Sequence, residues 1–455
     1  MRKIKIRGVS PPHNKNTQYS KVRILPNPAL VHIPMDMHSG TPAKPIVDVG
    51  DEVKVGQLIG DAGGIVSSPV HASVSGVVKS INDRDIVTGQ KALSITIASD
   101  GKQTPYDGLV PPVISDVQEF LDAVKDSGAI GLGGAGYPTS AKLNIKNLDK
   151  LEYILVNGAE CEPYITSDTR AMVRDTTYIV EGVELMKKFM KPKKIIICIE
   201  DNKPEAISVM QECFVEDDVV DVHVLPTLYP QGERKILVYN VTGRIVPEGA
   251  RLSDVGCIVI NCSTMTVFAR YIKTGMPLVQ KVVTVDGTAV KKPKNVLAPI
   301  GTPIRDLFEF CGGFIDGEPK KILMGGPMMG IALPNIDVPV VKVTNAVLAF
   351  KEEDTQELVE MACIKCGRCL KRCPMRLMPP NIETAYHLRN AKMLERFKVG
   401  LCAECGCCAY VCPSKRQLVQ RFQLSKKILR AHKAEQKALA EKKALAEQKG
   451  AAQNG

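Results

Sequence analysis

Between Cys363 and Cys412 one spacing occurs twice, as CIKCGRCLKRCP and, after about thirty residues, as CAECGCCAYVCP. Each half reads C-x-x-C-x-x-C-x-x-x-C-P. Nine of the fifteen cysteines fall in this stretch, which calls for reduced thiolates and so for a reducing compartment, most simply the cytoplasm. Gly367 and Gly406 stand where the backbone must pass close to the bound group, and Pro374 and Pro413 turn the chain after each fourth thiol.

This is the spacing by which cubane 4Fe-4S clusters are held in two-cluster ferredoxins, the first three thiolates on one cluster and the fourth on the other. The x-x-x step begins a helix that carries the fourth thiol across. Cys363, Cys366, Cys369 and Cys412 are therefore expected on one cluster, and Cys402, Cys405, Cys408 and Cys373 on the second. The alternative is a pair of structural zinc sites, which more commonly use two C-x-x-C knuckles with a longer spacer. Cys407 falls off the three-residue step and is expected to be a packed neighbouring thiol.

At 455 residues the chain exceeds what one core usually organises, so three or four domains are expected. No apolar leader follows MRKIKIRGV, and no stretch approaches the roughly 18 apolar residues of a membrane span, so any place at a membrane is expected to depend on partners. The net charge of +11 comes partly from residues 425 to 455, with eight Lys/Arg against three Glu. Such a balance suits nucleic acid, anionic lipid or an acidic redox partner. With 5% aromatics and no reading motif, nucleic acid is the least supported.

Residues 1 to 110 divide into a Pro-rich arm, SPPHNKNTQYSKVRILPNPALVHIPM, and a unit of short strands and Gly-Asp or Gly-Gln turns. The second part looks like the flattened barrel of biotinyl and lipoyl carriers, but the turn near GGIVSSP lacks their lysine, which leaves a docking or structural module. His13, His38 and His71 have no metal-binding context and read as loop or interface residues.

GLGGAGYPTSAKL, Gly131 to Leu143, has the physics of an anion cradle: glycines that let amides approach a phosphate, a helix start, and Lys142 as a mobile charge. The strand in LEYILVNGAECEPYITSDTR ends in Asn157, Glu160, Glu162, Asp168 and Arg170. Ligands of open α/β sheets sit beyond such strand ends, although Asp168 and Arg170 also suit a helix-capping loop. KPKKIIICIEDNKPEAI and DVVDVHVLPTLYPQGERKIL repeat the strand-then-helix rhythm of a parallel sheet. Short β-prone segments follow from about 250 to 345, where GGPMMG reads as a packed turn. The tail from 426 is expected to be a partly helical, solvated extension.

GLGGAGYPTSAKL, NGAECEPYITSDTR and YPQGE, in that order, resemble the flavin-binding subunit of respiratory complex I. With PPHNK and the doubled cysteine run, the chain to about residue 425 resembles the RnfC family, a component of the Rnf ion-translocating complexes. The resemblance implies a multidomain α/β chain: an arm and lipoyl-like barrel-sandwich over 1–110, a parallel α/β flavin domain over 111–250, and a β-grasp soluble-ligand-binding module over 251–345. A helical two-cluster ferredoxin-type domain over 346–425 and a basic tail over 426–455 complete it. It places FMN on Gly131, Gly133, Gly134, Gly136 and Lys142, and lines the flavin and nicotinamide pocket with Asn157, Glu160 and Glu162. Glu160 and Glu162 take the catalytic role of orienting cofactors and tuning the local field; Tyr229, Gly232 and Glu233 close the pocket. Asn261 and Thr264 match an Asn-rich contact loosely, because Cys262 and Ser263 replace the usual neighbours.

The implied function is electron input to a membrane-bound NADH:ferredoxin oxidoreductase, on the cytoplasmic face, through NAD(H), FMN and two 4Fe-4S clusters. The implied partners are integral membrane subunits, a ferredoxin-like iron–sulfur subunit and, through the complex, ferredoxin. The alternatives are a soluble NADH-dependent electron supply for another reductase, or an iron–sulfur relay whose flavin fold is empty.

Overall fold

A computed structural model describes residues 6–355 and 359–453, with side chains described as far as 442. Two compact units result, residues 10–355 and residues 6–9 together with 359–453.

In the larger unit, the barrel module pairs a four-stranded antiparallel sheet (Leu30–Pro34, Lys91–Ser99, Gly76–Asp85, Glu52–Val53) with a three-stranded one (Lys44–Pro45, Leu58–Asp61, Val70–His71). Alternation drives it: Val31 and Ile33 face Ile97 and Ile95 across the ladder, all four fully buried. The Lys342 ammonium ties this module to its neighbours, donating to Ser68 Oγ at 3.1 Å, Pro69 O at 2.6 Å and Gly128 O at 2.9 Å. His38 accepts from the Ser68 amide, His71 is buried beside Lys342, and His13 offers its carbonyl to Tyr164.

The site is positioned by a four-stranded parallel sheet in the order Val220–Leu225, Lys194–Glu200, Tyr153–Gly158, Cys257–Asn261. Three of its strands are nearly continuous apolar runs, as strands covered on both faces require, with Ile154, Leu155, Val156, Ile195 and Ile197 fully buried. The edge strand Val220–Leu225 instead carries exposed Asp221 and His223. The order places the first and fourth strands side by side, so the direction of winding reverses between them and a crevice opens beyond their carboxyl ends. Phe120 stacks on Phe189 at 5.0 Å and meets Phe268 edge-on, which locks the helices of one face.

The β-grasp module is a six-stranded mixed sheet in the order Arg23–Ile24, Lys294–Pro299, Gln280–Asp286, Ala346–Phe350, Lys321–Met324, Ile331–Ala332. Two boundaries differ from those expected. The strand Cys257–Asn261 and helix Cys262–Thr274 belong to the parallel sheet, because CIVIN pairs along Tyr153–Asn157. Ala346–Phe350, expected in the cysteine domain, is an inner strand of the β-grasp sheet because AVLAF is wholly buried there.

The smaller unit packs the helices Pro379–His387, Ala391–Arg396 and Leu418–Gln453 around Ile382, Ala385, Leu394, Leu418 and Phe422. The last helix begins before residue 426, so the tail continues a helix whose first turns are core. Arg416 and Arg421 grip Glu360 and Glu383 at its base. Among the described residues no helix is long and apolar enough to cross a membrane.

Candidate active site

The crevice is walled by two asparagines that are register partners, Asn157 and Asn261. Asn157 donates to Gly232 O at 2.9 Å and accepts from the Ala159 amide. Asn261 caps the helix Cys262–Thr274 through Thr264 N and reaches Asp168 Oδ2 at 2.7 Å, while Ser263 donates to Asp168 Oδ1. Thr264 Oγ1 donates to Ile130 O and accepts from Leu132 N, so the fourth strand's end braces the glycine turn.

That turn closes on itself, Gly131 N to Tyr137 O and Gly136 N to Gly131 O. Gly134 has φ +104° and a Cβ added there would meet no protein atom within 4 Å, whereas one on Gly133 would press Asn261 Nδ2 at 3.2 Å. The helix after it, Thr139–Leu143, has only five residues, so the cradle is one of glycine amides rather than of a helix end. Lys142 is less mobile than expected: its ammonium lies 3.4 Å from Val259 O, and burial, with Arg234 adding to it, lowers its pKa to about 8.

Glu160 adopts φ +45° and turns its carboxylate onto the start of the helix Ser167–Arg174, accepting from Asp168 N at 2.6 Å and from Thr169 N and Oγ1. Burial raises its pKa and the Lys15 ammonium opposes that shift. Glu162 Oε2 accepts from Met328 N at 3.0 Å, and Oε1 is buried without a partner. Burial raises this carboxyl to about 7 against the pull of the Met328 and Met329 amides. GGPMMG is therefore more than a packed turn: it holds Glu162, and a Cβ on Gly326 would lie 2.2 Å from Oε2. Glu233 caps the helix Arg234–Thr242, Tyr229 is buried, and Gly232 N lies 3.4 Å from Cys161 Sγ.

Sequence reasoning missed Lys15. Its ammonium donates to the carbonyls of Glu160 and Glu162 at 2.8 Å each and of Ile165 at 2.5 Å, fastening both carboxylate-bearing residues from inside. A lysine in the middle of a polar, Pro-rich arm was the available signal. The residues fit a bound flavin phosphate: open space over Gly134, a cation at Lys142, and the buried Thr139 hydroxyl without a partner.

In the smaller unit Cys373, Cys402, Cys405 and Cys408 line one cavity together with Cys407. Cys402 is raised to about 11, by burial first and then by the nearby Cys405 and Cys373 thiols. Cys369 feels Cys412 and Cys363 instead. Cys373 thus lies with Cys402, Cys405 and Cys408 of the second run, and Cys412 lies near Cys369 and Cys363 of the first. Gly367 and Gly406 have φ +71° and +78°. Among the described residues no group of three or more His, Cys, Asp or Glu is set to hold a single metal ion. A cubane instead presents four irons to four thiolates, and Cys373, Cys402, Cys405 and Cys408 bring four thiols to one cavity.

Family models match in series: an RnfC barrel sandwich hybrid domain over 4–102, a Nuo51 FMN-binding domain over 124–270, an SLBB domain over 282–332 and a 4Fe-4S dicluster domain over 357–415. The fold is also that of a chain from the NAD+-reducing NiFe-hydrogenase in its H2-reduced state, with TM-score 0.50 and 17% identity over 70% of this chain and 63% of that one. The class is an iron–sulfur flavoprotein that carries an FMN-binding domain and a two-cluster 4Fe-4S domain. The RnfC protein of the proton-translocating ferredoxin:NAD(+) oxidoreductase complex of Clostridium ljungdahlii is 42% identical over 378 residues, 82% of each chain. Its sodium-translocating counterpart from Acetobacterium woodii is 39% identical over 84% of this chain and 87% of that one. The RnfC protein of the ion-translocating oxidoreductase complex of Rhodobacter capsulatus is 37% identical over 92% and 82%. The chain belongs to this family, the RnfC subunits of ion-translocating oxidoreductase complexes.

Proposed function

We propose that the chain is the NADH-facing subunit of a membrane-bound, ion-translocating NADH:ferredoxin oxidoreductase. The observation that carries this is the crevice between Asn157 and Asn261, roofed by a glycine turn, in one chain with two sets of four cysteines. Bound FMN supplies the exchange between a hydride's electron pair and the single electrons that clusters carry. The turn of Gly131, Gly133, Gly134 and Gly136 surrounds its phosphate, Gly131 and Gly136 by closing the loop and Gly133 and Gly134 by their amides, with Lys142 as the cation. Asn157, Glu160 and Glu162 line the ring and nicotinamide space; Tyr229, Gly232 and Glu233 close it. Asn261 and Thr264 brace the turn, and Glu160 fixes the loop by capping a helix. Glu162 Oε1 is the one carboxylate oxygen of this pair left free to meet the nicotinamide. The Gly325–Gly330 loop shields it from water.

Cys363, Cys366, Cys369 and Cys412 hold one cluster and Cys402, Cys405, Cys408 and Cys373 the other. The functional modules run from 1 to 110, from 111 through the helix ending at Thr274, from there through Phe350, then to 425, with the tail from 426 to 455. The protein sits peripherally on the cytoplasmic face, held by integral membrane subunits, and exchanges electrons with a ferredoxin-like iron–sulfur subunit and through the complex with ferredoxin.

Gly134→Val tests the flavin assignment, because its side chain enters the space left for the ligand. The expected result is loss of FMN and of NADH-driven dye reduction with iron content unchanged. A variant that keeps FMN and full NADH activity overturns it in favour of an iron–sulfur relay.

A further inference from the structure

The two cysteine runs share one spacing, and both bury part of their thiols, Cys373 fully and Cys369 partly in the first, yet the first run begins exposed and the second does not. From Met361 through Cys366 every residue is exposed, Cys363 and Cys366 included, and Ile364 is 67% exposed. In the second run Cys405 and Cys407 are buried and Cys402, Cys408 and Cys412 partly so. Ligand chemistry does not impose this difference, since both runs have the same ligand spacing.

Charge divides the same way. From Met361 to Ile382 there are five cations, Lys365, Arg368, Lys371, Arg372 and Arg376, and no acid. From Cys402 to Cys412 there is one acid, Glu404, and no cation. Between 359 and 425 the acids are Glu360, Glu383, Glu395 and Glu404, and each is already in an ion pair with Arg421, Arg416, Lys433 or Lys426. Among the described residues of this unit, none of these acids is left to neutralise the five cations.

We infer that the Met361–Arg376 face is the docking surface of an acidic protein that carries a one-electron centre near its own surface. The exposed apolar residues Met361 and Ile364 supply the dry centre of such a contact and the cations its steering rim. Exposed thiolates bring the bound cluster close to whatever covers them. Exchange across this face moves one electron and neither bond nor proton: the donor's centre is oxidised by one electron and the acceptor's reduced by one. The inference rests on reading Cys363, Cys366, Cys369 and Cys412 as cluster ligands, which iron content checks separately.

The test measures binding of the anaerobically purified full chain to an acidic two-cluster ferredoxin, with basic cytochrome c and phosphatidylglycerol vesicles as competing probes. The assay needs neither NADH nor flavin, so its outcome is independent of the hydride reading. Ferredoxin binding should weaken at least about tenfold between low and moderate salt, as a charge-steered contact does. Lys371→Glu/Arg376→Glu, with iron content unchanged, should weaken it by roughly tenfold or more. Lys437→Glu/Lys442→Glu on the terminal helix should leave it unaltered. Equal binding by wild type and the Lys371/Arg376 variant, equal binding of cytochrome c, or preferential capture by the vesicles overturns the inference.

Discussion

All eight proposed cluster ligands lie between Cys363 and Cys412, whereas the candidate flavin site gathers Lys15, the 131–136 turn, Asn157 to Glu162, Asn261 and Met328 from five distant segments. The first is a local device whose geometry travels with its own spacing. The second exists only once a sheet, an arm and a neighbouring module have closed on one another. Damage should therefore stay local in the cysteine domain and arrive from far away in the flavin domain.

The largest effect is expected from Cys373→Ser, which should remove about half the iron while leaving flavin in place. The paramagnetic signal that survives should be that of the Cys363 cluster, and Cys412→Ser should spare the other. Loss of the sequence-local cluster in each variant contradicts the crossed arrangement. Lys15→Met comes next. It strands three carbonyls that share one buried ammonium, at a cost on the order of 3 kcal/mol. Flavin content should fall with iron retained, although the residue lies far from the glycine turn in sequence. An unchanged flavin content shows that the arm is dispensable to the site.

Glu162→Gln sharpens the comparison through pH. The carboxyl's folded pKa of about 7 lies above its ordinary 4.5, so the folded chain binds the proton more tightly. The stability this contributes is complete below about pH 4.5 and is lost as pH rises through 7. Glutamine carries no charge to desolvate, so the variant should gain on wild type at pH 8, by about 1 to 3 kcal/mol, and match it at pH 4.5. Parallel denaturation curves at both pH values refute that burial cost. The smallest effect belongs to Cys407→Ala, because Cys407 lines the cavity off the ligand step: iron should be unchanged. A halved iron content means that Cys407 is itself a ligand.

The same contrast explains what could be read from the residues alone. The cysteine spacing carried its own geometry, and the strand rhythm of LEYILVNG and KKIIICIE carried the parallel sheet, as the family matches in order agree. Apolar content did not reveal that AVLAF and CIVIN pair outside their expected modules, since a buried strand looks alike in either sheet. Lys15 and GGPMMG stayed hidden for a related reason. Which carbonyls an ammonium finds, or which amides a carboxylate finds, is decided by tertiary closure over more than a hundred residues. Lys142 looked mobile because sequence does not report desolvation.

The central claim is that a single chain takes a hydride pair at one site and passes single electrons to another. Its most direct test is an anaerobic NADH titration of the purified chain, with flavin absorbance and cluster paramagnetic resonance followed in the same sample. The account predicts that flavin colour bleaches and reduced-cluster signals grow without any other protein present. Bound flavin that stays oxidised under excess NADH, while dithionite reduces the clusters normally, contradicts it.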